Sequence, residues 1–397
     1  MIPCCNPCSL LALIVFALSG CVPSLKTSEI QRQPEPVIIS DDLDPESLRA
    51  AIRQSVVYLA KLPRDRIVGE QPRPLSAGEV LDTLSAFEPL LDQWYCAACL
   101  AREIRERFEF VPSTHDDALS EVLFTGYYQP VIDGSLVRTE EYRYPLYARP
   151  ADLVVAEQVT MAPKFSVQNV LGRVEGEEFL PYHTRREIDE LGALKNRDLE
   201  IAWLKDPVDA FFLHIQGSGL IRLPDGGQLT VGYAAQNGLP YRAIGKLLID
   251  DGKVAKEEMS MQRLRRYLAE NPDERDEILA HNESYVFFRV LKNGPLGSLE
   301  TPVTPGRTIA TDARLFPKGS LAFIQTQIPI IDPAGQLVGW RPIARFVLNQ
   351  DTGGAIRGHQ RADIYFGTGN EAGALAGYMN SRGKLFFLIL KRAEGQR

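Results

Sequence analysis

The segment Asn349–Gly369, NQDTGGAIRGHQRADIYFGTG, concentrates two aspartates, a histidine and two arginines among glycines. Residue types packed this way suit a phosphate cradle, a metal nest, or a carboxylic acid held against a substrate. A dinucleotide site would use Gly367, Gly369 and Gly373 ahead of a helix N-terminus. The third glycine falls one residue late for G-x-G-x-x-G, and too little chain follows for a βαβ unit. Asp351, His359 and Asp363 suit zinc or calcium by type, but their spacing fits neither an EF-hand loop nor a zincin helix. Acid–base chemistry is the third reading. Asp351 ends the strand-like run ARFVLNQ and Asp363 opens DIYFG, so the connection between them can bring both carboxylates to one rim. The apolar neighbours Ile356, Ala362, Ile364 and Tyr365 would raise an aspartate pKa and keep it protonated as a general acid. A purely structural turn competes with this reading.

The elements that must position these residues change character along the chain. From Asp44 to about Phe108 the apolar period is helical. DPESLRAAIRQSVVYLAKLP carries an Asp cap with Pro next, and Ser76-x-x-Glu79 is a capping box. After Ser120 strands and turns dominate: VLFTGYYQPVIDGSL, YRYPLYARP, DAFFLHIQGSGLIRL, SYVFFRVL, SLAFIQTQIPII and ARFVLNQD. In this pattern His214 is a core or groove-wall residue on a strand. Helices are expected at Leu239–Asp250, Glu257–Ala269 and Glu371–Asn380, before a final strand, KLFFLILK. Few helices separate the strands, and no 20–50-residue repeat is visible. The fold class expected is mainly β with accessory helices, built on β-barrels rather than a doubly wound sheet.

A chain of 397 residues exceeds one typical core and suggests two domains. Its net charge of −7 and lack of long Lys/Arg runs argue against nucleic acid as a partner. At the N-terminus, the apolar run Leu10–Leu18 suits a signal peptide and is too short to span a bilayer. Leu18-Ser19-Gly20-Cys21 resembles a bacterial lipobox, in which Cys21 is lipidated. An ordinary signal peptide that happens to contain a cysteine is the alternative. Val22 rather than aspartate after Cys21 implies the inner leaflet of the outer membrane. Beyond the signal and Cys21, only Cys96 and Cys99 remain. WYCAACLAREIRERF reads as helix, where cysteines three apart do not easily reach disulfide geometry, so two buried thiols on one helix face are expected.

The C-terminal stretch DTGGAIRGHQRADIYFGTGNEAGALAGYMNSRGKLFFLILK resembles the membrane-bound lytic murein transglycosylase A family. The resemblance extends through FTGYYQPVIDGS, LPYHTRREID, FFLHIQGSGLIRL, VGYAAQNGLPYRAIGKLLID, NESYVFF and TPVTPGRTIATD, covering roughly residues 120–391. It implies two β-barrel-like domains, the larger a double-psi β-barrel, with a groove between them. The order implied is a signal at 1–20, a tether at 21–44, a main domain at 45–130 and 239–391, and a small barrel inserted at 131–238.

The activity implied is cleavage of the MurNAc–GlcNAc β-1,4 bond of peptidoglycan without water. The MurNAc C6 hydroxyl attacks its own C1 and leaves a 1,6-anhydro end. No cofactor or metal is implied, and one carboxylate suffices because the nucleophile belongs to the substrate. Asp363 matches the family's catalytic aspartate, and Asp351 a second active-site aspartate that positions substrate and stabilises charge at C1. Thr125, Tyr127 and Tyr128 offer polar contacts and stacking faces to sugars. Gln216 and Ser218, with Gly217 between them, would grip N-acetyl groups; Asn282 and Tyr285 are residues of the same kind. Gly353 and Gly354 would give clearance to the glycan strand. The partners implied are glycan strands, the outer membrane through Cys21, and cell-wall synthesis proteins, for a monomer on the periplasmic face. A non-catalytic peptidoglycan-binding protein and a hydrolytic muramidase are the alternatives.

Overall fold

The computed structural model describes residues 38–114, 121–160 and 166–392. The signal segment and Cys21 lie outside these residues. Six strands close into a ring in the order Leu321–Ile331, Leu337–Asp351, Thr308–Ala310, Arg361–Thr368, Val122–Gln129 and Asn380–Leu390, the last pairing back to the first. Two of these pairings are parallel: Thr308–Ala310 with Leu337–Asp351, and Arg361–Thr368 with Val122–Gln129. Phe108–Pro112 adds a further strand beside Asn380–Leu390. Period-two alternation fills the ring with Val122, Phe124, Ile309, Ala322, Ile324, Val347, Ala362, Ile364 and Phe387.

The strand Val122–Gln129 runs through Pro130 into Val131–Ser135, which belongs to a second sheet. Its order is Val286–Leu291, Gln228–Gln236, Ser218–Arg222, Val131–Ser135, Glu200–Leu204 and Tyr144–Tyr147. The two edges meet at a single bridge, Ala148 to Phe288. Ile132, Leu146, Ala202, Leu204, Leu213, Ile221, Val231 and Phe288 form its core. The sheet thus takes one strand from residues well beyond 238. The chain is mainly β with accessory helices, and a closed six-stranded barrel is its centre.

The first helix, Pro45–Leu59, starts where the sequence indicates: Asp44 accepts from the Ser47 N–H and Pro45 sits in the first turn. Ser76 and Glu79 form the expected capping box on the helix Ala77–Phe87. Asp41 and Asp42, at the end of the segment read as a tether, are anchored to the barrel. Arg307, fully buried, pairs with Asp41 at 2.6 Å, and Arg345 pairs with Asp42 at 2.6 Å.

Two local expectations are corrected. Residues Pro207–Gln216 are a helix, not a strand, capped by Asp206 and closed by Gly217 in the left-handed region at φ 74°. Its signals were in the sequence, an Asp-Pro start and a glycine stop, but the apolar run FFLHI masked them. His214 is therefore a buried helical residue. Cys96 and Cys99 form a disulfide rather than two buried thiols. The helix begins only at Ala97, and Cys96 is its N-cap with non-helical backbone, which frees its sulfur to turn back to Cys99. Cys96 is exposed.

Candidate active site

Strand alternation explains how one face of the barrel becomes polar. In Arg361–Thr368, Ala362 and Ile364 point into the core, so Arg361, Asp363 and Tyr365 project to the opposite face. In the parallel neighbour, Phe124 points in, and Thr125 and Tyr127 project out. Register sets Asp363 beside Thr125 and Tyr365 beside Tyr127. On the other side, Ala310 pairs with both Asp363 and Asp351. The two aspartates are thus two strand spacings apart, roughly 10 Å between their Cα atoms.

The two carboxylates are held differently. Asp351 has both oxygens engaged: Ser298 and Thr352 N–H groups donate to Oδ1 at 2.9 and 2.8 Å, and the Tyr127 hydroxyl donates to Oδ2 at 2.9 Å. Asp363 is bound only at Oδ1, by the Thr125 hydroxyl and, at 3.5 Å, by Arg361 Nε. Arg361 Nη2 also donates to Thr125 Oγ1 at 3.3 Å, so the threonine hydroxyl is oriented toward the aspartate. Among the described residues nothing bonds Asp363 Oδ2, and its side chain keeps 16% exposure. One oxygen is fixed and the other is open.

Burial pushes Asp351 up to about 6, against its three hydrogen bonds, and the charge of Asp363 adds to the rise. Burial also raises Asp363, opposed by the Arg361 charge and the Thr125 hydrogen bond. Tyr127 is driven well above its usual value by burial and by Asp351, and so remains a donor. Burial thus moves both carboxyls toward the protonated form relative to free aspartates.

A cleft of about 540 Å³ runs over these groups and is walled by both sheets. It brings together Thr125, Tyr127, Gln216, Gly217, Ser218, Asn282, Asp351, Gly353, Gly354 and Asp363. A Cβ at Gly354 or Gly217 would meet no protein atom within 4 Å, so the space beside them is open to a ligand. Gln216 spends its Oε1 on the Tyr128 N–H at 3.0 Å, and the Asn282 side chain accepts from the Arg242 N–H at 3.1 Å. Tyr128 and Tyr285 do not line the cleft. Tyr128 packs with Ala372 and Ala376, and Tyr285 is buried 4.2 Å from the His214 ring.

Several cleft groups went unseen in the sequence. Arg361 and Ser298 hold the aspartates, and Arg185 supports the opposite wall through the Asn282 and Ser284 carbonyls. Asp312 is a third cleft aspartate. It is fully buried, and Arg314 with the Gly358 N–H holds its carboxyl well below the usual range. The expected strand ends pointed to Asp351 and Asp363, but Asp312 ends a short run, RTIATD, with no comparable periodicity. Asp351, His359 and Asp363 do not gather into a metal nest; among the described residues no group of three His, Cys, Asp or Glu could hold an ion.

Two family models match the chain, an MltA-specific insert domain over residues 123–289 and a 3D domain over residues 307–389. The membrane-bound lytic murein transglycosylase A of Escherichia coli K12 is 37% identical over 283 residues, 70% of this chain and 68% of that protein. The chain belongs to the membrane-bound lytic murein transglycosylase A family. Solved members of the family share its fold. An Agrobacterium tumefaciens membrane-bound lytic murein transglycosylase superposes with a TM-score of 0.72 at 31% identity, over 87% of this chain and 93% of that one. Escherichia coli MltA with bound chitohexaose gives 0.68 at 27% identity, over 90% and 93%.

Proposed function

We propose that the cleft breaks the MurNAc–GlcNAc β-1,4 bond with Asp363 as acid and then base, leaving 1,6-anhydro-MurNAc ends. As a member of its family the chain is a lytic transglycosylase of peptidoglycan, a lyase rather than a hydrolase. The observation that carries the residue assignment is the asymmetry of the two carboxyls: Asp363 keeps one oxygen open to the cleft, whereas Asp351 has both engaged.

In this scheme Asp363 protonates the departing O4, then takes the proton of the MurNAc C6 hydroxyl as that oxygen closes onto C1. Asp351, ionised and held by Tyr127, Ser298 and Thr352, offsets positive charge growing at C1. Gln216, Gly217, Ser218, Gly353 and Gly354 line the path of the strand. Tyr128 and Tyr285 act from behind the wall.

Anchoring follows the same reading: Cys21 carries lipid and places the protein on the periplasmic face of the outer membrane. Support comes from the lipobox-like LSGC and from a family named as membrane-bound. Among the described residues no helix is long and apolar enough to cross a membrane. We also read the ring as a double-psi barrel, which its two parallel pairings support. The pairing of Val286–Leu291 favours an inserted domain that closes later than residue 238.

Mass analysis of peptidoglycan digests tests the chemistry. Anhydro-ended products are expected. Products heavier by one water would mean a hydrolytic muramidase, and bound but uncut glycan would mean a binding protein; either result overturns the assignment.

A further inference from the structure

Next to the cleft lies a second cavity of about 300 Å³, and Ala313 and Arg314 line both. Its charged groups are Arg66, Arg314 and Lys318 against Glu70. Arg314 is offset by Asp312, although its own side chain stays 70% exposed. Arg66 and Lys318 form no ion pair among the described residues. The nearby Arg64, by contrast, is committed to Asp82.

The walls of this annex are built rather than incidental. The Lys318 N–H donates to the Val68 carbonyl at 3.0 Å, and the Glu70 N–H to the Leu315 carbonyl at 2.9 Å. A Cβ at Gly69 would stand 2.3 Å from the Pro317 nitrogen, so only glycine lets the two segments approach this closely. The backbone carrying Lys318 is thereby held in place, and Lys318 and the exposed Arg66 stand beside a groove that, on the reading above, holds a glycan strand.

We propose that the annex receives the carboxylates of the peptide branch carried by the muramic acid residues of that strand. The proposal rests on the transglycosylase reading and adds a determinant of substrate choice to it. A branch leaving the sugar ring must lie beside the groove rather than along it. Its free carboxylates match Arg66 and Lys318 in sign. Exposed charges of this kind contribute modestly and are screened by salt, so the effect belongs in KM rather than in the chemical step.

The test compares soluble glycan chains bearing peptides with the same chains stripped of peptides. The wild-type protein is expected to show a KM about fivefold lower for the peptide-bearing chains. High salt should erase that advantage. The double variant Arg66→Gln/Lys318→Gln is expected to lose it as well, with kcat and the KM for stripped chains unchanged. Equal KM values for the two substrates in the wild-type protein would overturn the annex. So would a double variant that keeps the difference, or that loses activity equally on both. If the wild-type protein cut neither substrate, the transglycosylase reading would fall first, and the annex with it.

Discussion

Thr125 and Asp363 stand in register across a parallel strand pair, and the threonine hydroxyl donates to Asp363 Oδ1. This contact favours the ionised carboxyl. Without it, as in Thr125→Val, the Asp363 pKa should rise further. In the proposed scheme the acid form of Asp363 starts the reaction, so the alkaline limb of the pH–rate profile is expected to move to higher pH. Arg361→Gln should move it the same way, because its positive charge also favours the carboxylate. A lost hydrogen bond to a charged group corresponds to about a tenfold or greater fall in kcat when its geometry matters in the transition state. A limb moving to lower pH in either variant would contradict the assignment.

Asp363→Asn keeps the shape of the side chain and removes the proton. Cleavage should drop by about 10²–10⁴-fold while glycan binding, followed by co-sedimentation with sacculi, is retained. Undiminished cleavage would place the chemistry elsewhere.

Asp351 should set the acidic limb. In the proposed scheme it works as a carboxylate, and burial has pushed it up to about 6. Activity is therefore expected to climb as pH rises through about 6 and the carboxyl loses its proton. Asp351→Asn should both lower the rate and abolish that limb. The two aspartates interact, so each limb reports the coupled pair rather than an isolated group.

Gly297 makes room for this arrangement. A Cβ there would come 2.6 Å from the Gln350 carbonyl oxygen and 3.5 Å from Asp351 Cγ. Gly297→Ala must push the loop back and carry the Ser298 N–H away from Asp351. The expected outcome is a further rise in the Asp351 pKa, seen as an acidic limb displaced upward, with little change in the unfolding midpoint.

Stability should depend on Arg307, which does not line the cleft. Its guanidinium is fully buried and donates to Asp41, Asp44, Phe346 and Ser47. Removing one partner of a buried ion pair costs about 3–5 kcal/mol, so Arg307→Ala should shift the urea midpoint down by a corresponding amount. Activity per folded molecule should remain.

What the sequence made legible was local. The Asp44 cap, the Ser76/Glu79 box and the strand ends carrying Asp351 and Asp363 depend on residues a few positions apart, and they stand as expected. The helix Pro207–Gln216 was lost because five successive apolar or aromatic positions carry no period that separates helix from strand. The disulfide was missed because it turns on whether Cys96 is inside the helix or caps it, a one-residue difference at an element boundary. The partners of the aspartates were beyond local reach. Thr125 meets Asp363 across 238 positions and Ser298 meets Asp351 across 53, and only closure of the barrel makes these residues neighbours.

Because Asp351 and Asp363 are both registered against Ala310, their separation is set by ladder hydrogen bonds and not by the chain that links them. The connection from Gly353 to Gln360 accordingly does not set that distance. Insertions around Gly354, where the cleft is open, would remodel what the groove grips while the distance between the two carboxylates stays constant. That makes the Gly353–Gly354 turn the natural place to re-engineer glycan selectivity, with the Thr352 and Gly358 N–H groups left in place on Asp351 and Asp312.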